Sequence, residues 1–202
     1  MPLLDRLRKV LREGRDSPRP AVRRAVAGID ATRALARAGR AFVSDPKARS
    51  VMLLKLLRPR RLHQTTALTW MDRYPEIFSA SREFLGDRDG LRILSYGCST
   101  GEEVLTLRRY FPNATIVGAE VNPRNLAACR AHRVDARIEF IDSDRALIGK
   151  RAPFDAIFCM AVLQRTPHAV EERALTSLAD IYPFKKFDAQ LRELDGWIAD
   201  GG

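Results

Sequence analysis

A chain of 202 residues, 46% apolar and 30% charged, can bury one sizeable core with an appendage but not two full domains. Its three cysteines, Cys98, Cys129 and Cys159, are odd in number and lack CxxC spacing, which argues against a disulfide framework or a zinc cluster and for a reducing, cytoplasmic setting. The longest apolar runs, such as Val51 to Leu57, fall short of the ~20 residues a bilayer-crossing helix needs. Charges interrupt the first turns of the chain, so neither a transmembrane segment nor a secretory peptide is expected.

The net charge of +10 is unevenly held: residues 1–62 contain 17 Lys or Arg against 5 Asp or Glu, whereas 63–202 contain 18 against 20. This division predicts two parts, a basic α-helical arm over 1–62 and an α/β domain over 63–202. The arm suits an acidic protein or another anionic surface as partner. Phe42 is its only aromatic residue, so it lacks the stacking rings of single-strand binders, and nucleic acid is disfavoured as a partner.

In chain order, Leu3, Leu4, Leu7, Val10 and Leu11 recur at helical spacing with Arg6, Arg8, Lys9 and Arg12 opposite, an amphipathic basic helix. Gly14 to Pro20 reads as a linker, Ala21 to Phe42 as a second helix, and Ser44-Asp45-Pro46 as the start of a third that ends before Pro59. A helical pattern continues from His63 to Gly86, broken at Tyr74-Pro75. Strands are expected over Leu91–Tyr96, Ala114–Ala119, Arg137–Ile141 and Phe154–Met160, with helices between them, and further helices over Val170–Tyr182 and Phe187–Ala199. Strands alternating with helices predict a doubly wound parallel sheet, a Rossmann-like α/β core behind an N-terminal helical arm.

The informative stretch is Leu91 to Glu120, strand, glycine turn, helix and second strand, ending on an acid ~20 residues past the turn, where such folds hydrogen-bond a ribose. A dinucleotide fingerprint asks for GxGxxG, but the positions here are Gly97, Ser99 and Glu102. A helix N-terminus attracts a phosphate by up to ~2 kcal/mol, whereas a carboxylate about 4 Å away repels each phosphate charge by about 4 kcal/mol at an effective dielectric of 20. Repulsion is the larger effect, so Glu102 and Glu103 turn the site against phosphates. The same turn spells GxSxG, Gly97-Cys98-Ser99-Thr100-Gly101, the nucleophile elbow of α/β-hydrolases, with Ser99 as nucleophile and His168 nominally as base. The two carboxylates oppose the oxyanion such a reaction develops. S-adenosylmethionine, which carries a sulfonium, an ammonium, a ribose and an adenine but no phosphate, suits every feature. The backbone at Gly97 and Gly101 permits close approach, Glu102 or Glu103 meets the ammonium, Glu120 the ribose, and Asp142, just past the third strand, the adenine amino group.

These residues resemble a class I S-adenosylmethionine-dependent methyltransferase, and specifically the chemotaxis-receptor glutamate methyltransferase (CheR-like) group. The resemblance rests on RILSYGCSTGEE at 92–103 and FDAIFC at 154–159, with Thr69 and Arg73 standing as that group's Thr-x-x-x-Arg element, and it covers about residues 63–200. It implies that Arg73 clamps the cofactor carboxylate with support from Thr69. The expected cofactor contacts are then Thr69, Arg73, Gly97, Cys98, Ser99, Thr100, Gly101, Glu102, Glu103, Glu120, Val121, Asn122, Asp142, Ser143, Met160 and Ala161. The chain departs from the group at Met160-Ala161, where Arg-Asn is usual, and at Val104, where Pro is usual. The acceptor therefore stays unassigned, a protein carboxylate or a small molecule being favoured, and no residue is assigned as catalytic.

Asp142-Ser143-Asp144 as a metal pair is disfavoured, because no third ligand stands nearby in sequence, and no metal is expected. His63, His132 and His168 are each isolated; a structural or surface role is expected for them, and only His168 merits a test as a base. Met160, Val162 and Leu163 wall the pocket or fill the core, and Cys98 is a small buried residue rather than a nucleophile. The family continues past a WxxxxGG-like stop, here Trp197 to Gly202, into three more strands. The expectation is thus a fragment or truncated product whose fourth strand is an open edge, with a non-catalytic binding role as a further alternative.

Overall fold

The computed structural model describes residues 3–164, 176–179 and 182–202, and it divides into two compact units, 1–52 and 53–202. The first holds α1 (Leu3–Arg15), α2 (Pro20–Ser44) and the start of α3 (Pro46–Leu57). Helices α1 and α2 meet closely because Gly14 has no side chain: a Cβ there would stand 2.7 Å from a methyl of Val26, the residue that α2 buries. Arg15 Nε donates to Asp30 at 2.8 Å across the same pair. Asp45 accepts the N–H of Lys47 at 2.8 Å, and Pro46, whose fixed φ suits a first turn, opens α3.

The second unit continues with α4 (Pro75–Leu85), β1 (Arg92–Tyr96), α5 (Glu102–Tyr110), β2 (Thr115–Glu120), α6 (Pro123–Arg130), β3 (Ile138–Asp142), α7 (Arg145–Gly149), β4 (Ala156–Phe158) and α8 (Phe184–Asp195). The strands form one four-stranded sheet in the order β3-β2-β1-β4, parallel throughout. Both faces are covered, as the almost unbroken burial of β1 and β2 requires. Ile93 and Ile116 face a core with Phe78, Leu107, Phe111 and Phe158; Leu94, Val117 and Ile141 face a second with Phe154, Leu194 and Trp197. This is the doubly wound, Rossmann-like arrangement, with the order reversing beside β1 and the carboxyl ends of β1, β2 and β3 opening on one rim.

Three expectations change. Residues 63–74 are not helical: the backbone turns at Asp72 (φ 55°), whose N–H is held by Thr106 Oγ1 at 2.9 Å, and the helix starts only at Pro75. The fourth strand is shorter, because Phe154 leaves it to make a parallel bridge with Ile198, its N–H bonded to Trp197 O and its C=O to the N–H of Ala199, both at 2.8 Å. That bridge occupies part of the edge expected to lie open. The last helix starts and stops earlier, at Phe184 and Asp195, while the helix expected over 170–182 falls largely outside the described residues. Among the described residues no helix is long and apolar enough to cross a membrane.

Gly118, central in β2, shows how tightly the helices seat on the sheet. A Cβ there would lie 2.8 Å from both Phe140 and Val104. Gly118→Ala is predicted to cost about 1–3 kcal/mol by overpacking, lowering the midpoint of thermal unfolding by several degrees in differential scanning calorimetry, whereas Gly39→Ala, inside α2 with nothing for a Cβ to meet, does not lower it.

Candidate functional site

The glycine turn, Glu103, Glu120 and Asp142 lie at the carboxyl ends of β1, β2 and β3. The turn between β1 and α5 requires left-handed backbone at Gly97 (φ 78°), Ser99 (φ 54°) and Gly101 (φ 101°). The two glycines are also demanded by packing: a Cβ at Gly97 would stand 2.6 Å from Val162, and one at Gly101 3.1 Å from the ring of His132. The expected close approach of a ligand is therefore not the sole reason for glycine at either place. His132 Nε2 lies 2.8 Å from Thr100 O and so carries the proton it donates, a structural role.

Glu120, at the end of β2 and 6% exposed, ties this turn to the next one. Its Oε2 accepts the Ser99 N–H at 2.9 Å and its Oε1 the Asn122 N–H at 2.7 Å. Burial nevertheless pushes its carboxyl up to about 7, the backbone donors lowering it only in part. Asn122 in turn caps α6, its side chain accepting the Arg124 N–H at 3.0 Å, with Pro123 at the first helical position.

The two glutamates that open α5, equivalent in sequence, separate in space. Glu102 turns back to the Thr100 hydroxyl, which donates to it at 2.7 Å. Glu103 points inward, accepts from Ser95 Oγ at 2.7 Å, and is pushed by burial up to about 7, opposed by that hydroxyl and by the nearby guanidinium of Arg73. Arg73 sits over the Trp70 ring at 4.5 Å and beside Tyr74 at 5.1 Å, and donates to Leu68 O at 2.7 Å. A buried acid and a stacked cation thus face each other at one end of the rim. Thr69 is half-buried.

At the other end, Asp142 follows β3 and is gripped by two arginines that sequence reasoning did not single out. Arg58 donates to its Oδ2 at 2.5 Å and Arg61 to its Oδ1; Arg61 also reaches Ser143 Oγ at 3.3 Å, and Arg58 Val121 O at 3.4 Å. Burial raises the Asp142 carboxyl, but the two guanidiniums outweigh it and hold it below the usual range. Asp144 caps α7 through the Ala146 N–H at 3.0 Å. The signal for Arg58 and Arg61 was absent because both lie before the α/β pattern begins and their partner is about 80 residues away. The same holds for His63, buried with Nδ1 2.7 Å from the Tyr182 hydroxyl and Nε2 3.1 Å from Gln190 Oε1.

Beyond β4, Met160 packs on the first core and Val162 and Leu163 on the second, with Ala161 at φ 55° between them. The thiols are not poised as nucleophiles: the contact with Cys129 and burial raise Cys98, and burial next to Glu103 raises Cys159 to about 12. Ser99 Oγ is buried without a hydrogen-bond partner among the described residues, so a Ser99 nucleophile finds no base there; His168 lies outside them.

The two raised glutamates fix a sign. An acid whose folded value is above its unfolded one binds more protons in the native state, so the stability it contributes is lost as pH rises from the ordinary carboxylate value near 4.5 to about 7. The thermal midpoint is predicted to fall between pH 5 and 7.5, and Glu103→Gln to flatten that fall; calorimetric scans at four pH values measure it.

Residues 93–182 match the family described as methyltransferase domain. A trans-aconitate 2-methyltransferase of Methylobacterium nodulans is 34% identical over 77 residues, 38% of this chain and 29% of that protein. Among solved structures, an S-adenosylmethionine-bound amino pentose methyltransferase from Micromonospora echinaspora is 24% identical, with 67% of this chain and 49% of that chain covered and a TM-score of 0.44. An S-adenosylhomocysteine-bound methyltransferase from Podospora anserina is 17% identical, with 86% and 67% covered and a TM-score of 0.44. The chain spans about a third of the curated relative's length and half of the first structure's. The matched segment is the one that carries β1 to β4, the glycine turn, Glu103, Glu120 and Asp142, so the sequence similarity to methyltransferase domains falls on the rim itself.

Proposed function

We propose that the 53–202 unit binds S-adenosylmethionine along its rim and that the protein transfers the methyl group to a carboxylate. The observation that carries this reading is the pair of buried acids, Glu103 and Glu120, on either side of the glycine turn. Burying two carboxylates is costly unless a cation or hydrogen-bond donors compensate. The residues fit the cofactor. Glu103 beside Arg73 matches an ammonium beside a carboxylate, as in the methionine end; Glu120 matches ribose hydroxyls; Asp142 and Ser143 match the adenine edge. Backbone of Gly97 to Gly101, with Cys98, Ser99 and Thr100, lines the centre, and the orphan hydroxyl of Ser99 lacks a partner there. Val121, Asn122, Met160 and Ala161 would flank the purine, and Thr69 would support Arg73.

The cofactor, when bound, supplies an activated methyl on a sulfonium. The chain supplies position: aligned reactants can gain roughly 7–11 kcal/mol over free ones. A bound cation would draw Glu103 and Glu120, whose carboxyls burial raises to about 7, into their ionised form, and the raised Cys98, Cys159 and Tyr96 stay protonated, so none competes as a nucleophile. A carboxylate acceptor arrives ionised and asks no base of the protein. That acceptor class is favoured because the curated relative is named for trans-aconitate, a tricarboxylate, and because the chemotaxis-receptor resemblance points to a glutamate side chain.

Methyl-labelled S-adenosylmethionine incubated with the protein and a panel of polycarboxylates is predicted to yield product whose label is released as volatile methanol in alkali, the mark of an ester. Glu120→Ala is predicted to raise the half-saturating cofactor concentration at least about tenfold. Alkali-stable label would move the acceptor from a carboxylate to a hydroxyl, nitrogen or carbon, and no labelled product together with no detectable cofactor binding would refute the reading.

A further inference from the structure

The segment Arg58–Tyr74, read from its sequence as partly helical, does something else: it runs along the rim from one end to the other. At its start Arg58 and Arg61 reach the residues that follow β2 and β3, namely Val121, Asp142 and Ser143. In its middle, Leu62 and His63 are buried; Lys186 on α8 donates to Pro59 O at 3.0 Å and to Leu62 O at 2.7 Å; and Tyr182 and Gln190 hold the two nitrogens of His63. At its end Asp72 is bonded to Thr106 on α5, and Arg73 stands near Glu103. The first anchors fall at or just after the ends of β2 and β3, and Arg61 is near enough to Tyr96, the last residue of β1, to offset part of the rise that burial imposes on that hydroxyl.

Asp142 is the residue that this architecture turns into a reader. A lone aspartate after a strand rotates about two torsions and binds protons or water. Here each carboxylate oxygen receives one guanidinium N–H, from two arginines three residues apart on one short segment, so the plane of the carboxylate is fixed. Each carboxylate oxygen has a further lone pair, so the group can accept from one more donor. Such an arrangement takes an amino group and rejects a carbonyl, because a carbonyl oxygen in the same place would meet a fixed negative charge.

We propose that Arg58 and Arg61 are positioning residues for base recognition, holding Asp142 ionised and oriented so that the site accepts a 6-aminopurine nucleoside and rejects its 6-oxo counterpart, with the segment Arg58–Tyr74 as the cover of the groove. The proposal deepens the S-adenosylmethionine reading and rests on it. The roles divide cleanly. Arg73 serves the amino-acid end, Arg58 and Arg61 the base end, and the His63–Tyr182–Gln190 cluster pins the cover between them.

The test is calorimetric titration of the whole chain with S-adenosylhomocysteine and with S-inosylhomocysteine, which differ in the 6-amino against the 6-oxo group and in the proton that the 6-oxo base carries on N1. The native chain is expected to prefer the amino ligand at least about tenfold. Arg58→Gln with Arg61→Gln is expected to bring the preference to within about threefold, and Arg58→Lys with Arg61→Lys, which restores charge without the fork, to recover part of it. Thermal midpoints of both variants report folding separately, so an unfolded glutamine variant leaves the lysine pair as the decisive measurement. A folded glutamine variant with an unchanged preference overturns the proposal, as does one that binds both ligands more tightly, which would make the arginines an obstruction rather than a support. A native chain that binds neither ligand contradicts the cofactor reading itself, whereas tight binding with no preference contradicts the base-recognition proposal alone.

Discussion

One buried carboxylate organises the rim. Glu120 terminates β2, yet its two oxygens are spent on the backbone of two different turns, Ser99 after β1 and Asn122 before α6. The left-handed backbone of the glycine turn is thereby held from below by Val162 against Gly97 and from the side by Glu120. This carries a cost, since a carboxylate in that position is forced towards its neutral form. Strain and desolvation gathered at one place in an otherwise regular doubly wound sheet mark that place as the candidate site.

The charges around that turn form a sequence along the rim: Arg73 and Glu103, then Glu120, then Asp142 between Arg58 and Arg61. Among the described residues, Glu103 and Glu120 are the buried acids beside the glycine turn, and a phosphate-bearing nucleotide would meet them unfavourably. The arrangement suits a ligand that is cationic in the middle, zwitterionic at one end and a hydrogen-bond donor at the other. Opposite charges at matched spacing decide which ligand fits; the fold alone does not.

How much of this was legible in the sequence depended on distance along the chain. Four strands, their parallel direction and the glycine turn follow from local signals, namely β-rich apolar runs alternating with helical patterns and glycines bracketing a loop, whereas the order β3-β2-β1-β4 does not. Glu120 and Asp142 were legible because strand ends are. The distinction between Glu102 and Glu103 was not, since neighbouring helical residues point about 100° apart and only the packing reveals which one faces inward. The segment 63–74 read as helix because its apolar spacing is helical, but tertiary bonds at Asp72 and His63 override that spacing. Arg58 and Arg61 read as one more part of a basic arm, because an ion pair spanning some 80 residues leaves no local trace.

The central claim is that paired buried acids, not a phosphate-binding glycine loop, select the ligand. Side-by-side calorimetry with S-adenosylmethionine and nicotinamide adenine dinucleotide at pH 8, where Glu103 and Glu120 are ionised, addresses it most directly. The account predicts that S-adenosylmethionine binds and that the dinucleotide gives no measurable heat. Tighter binding of the dinucleotide, or equal binding of both, would contradict it.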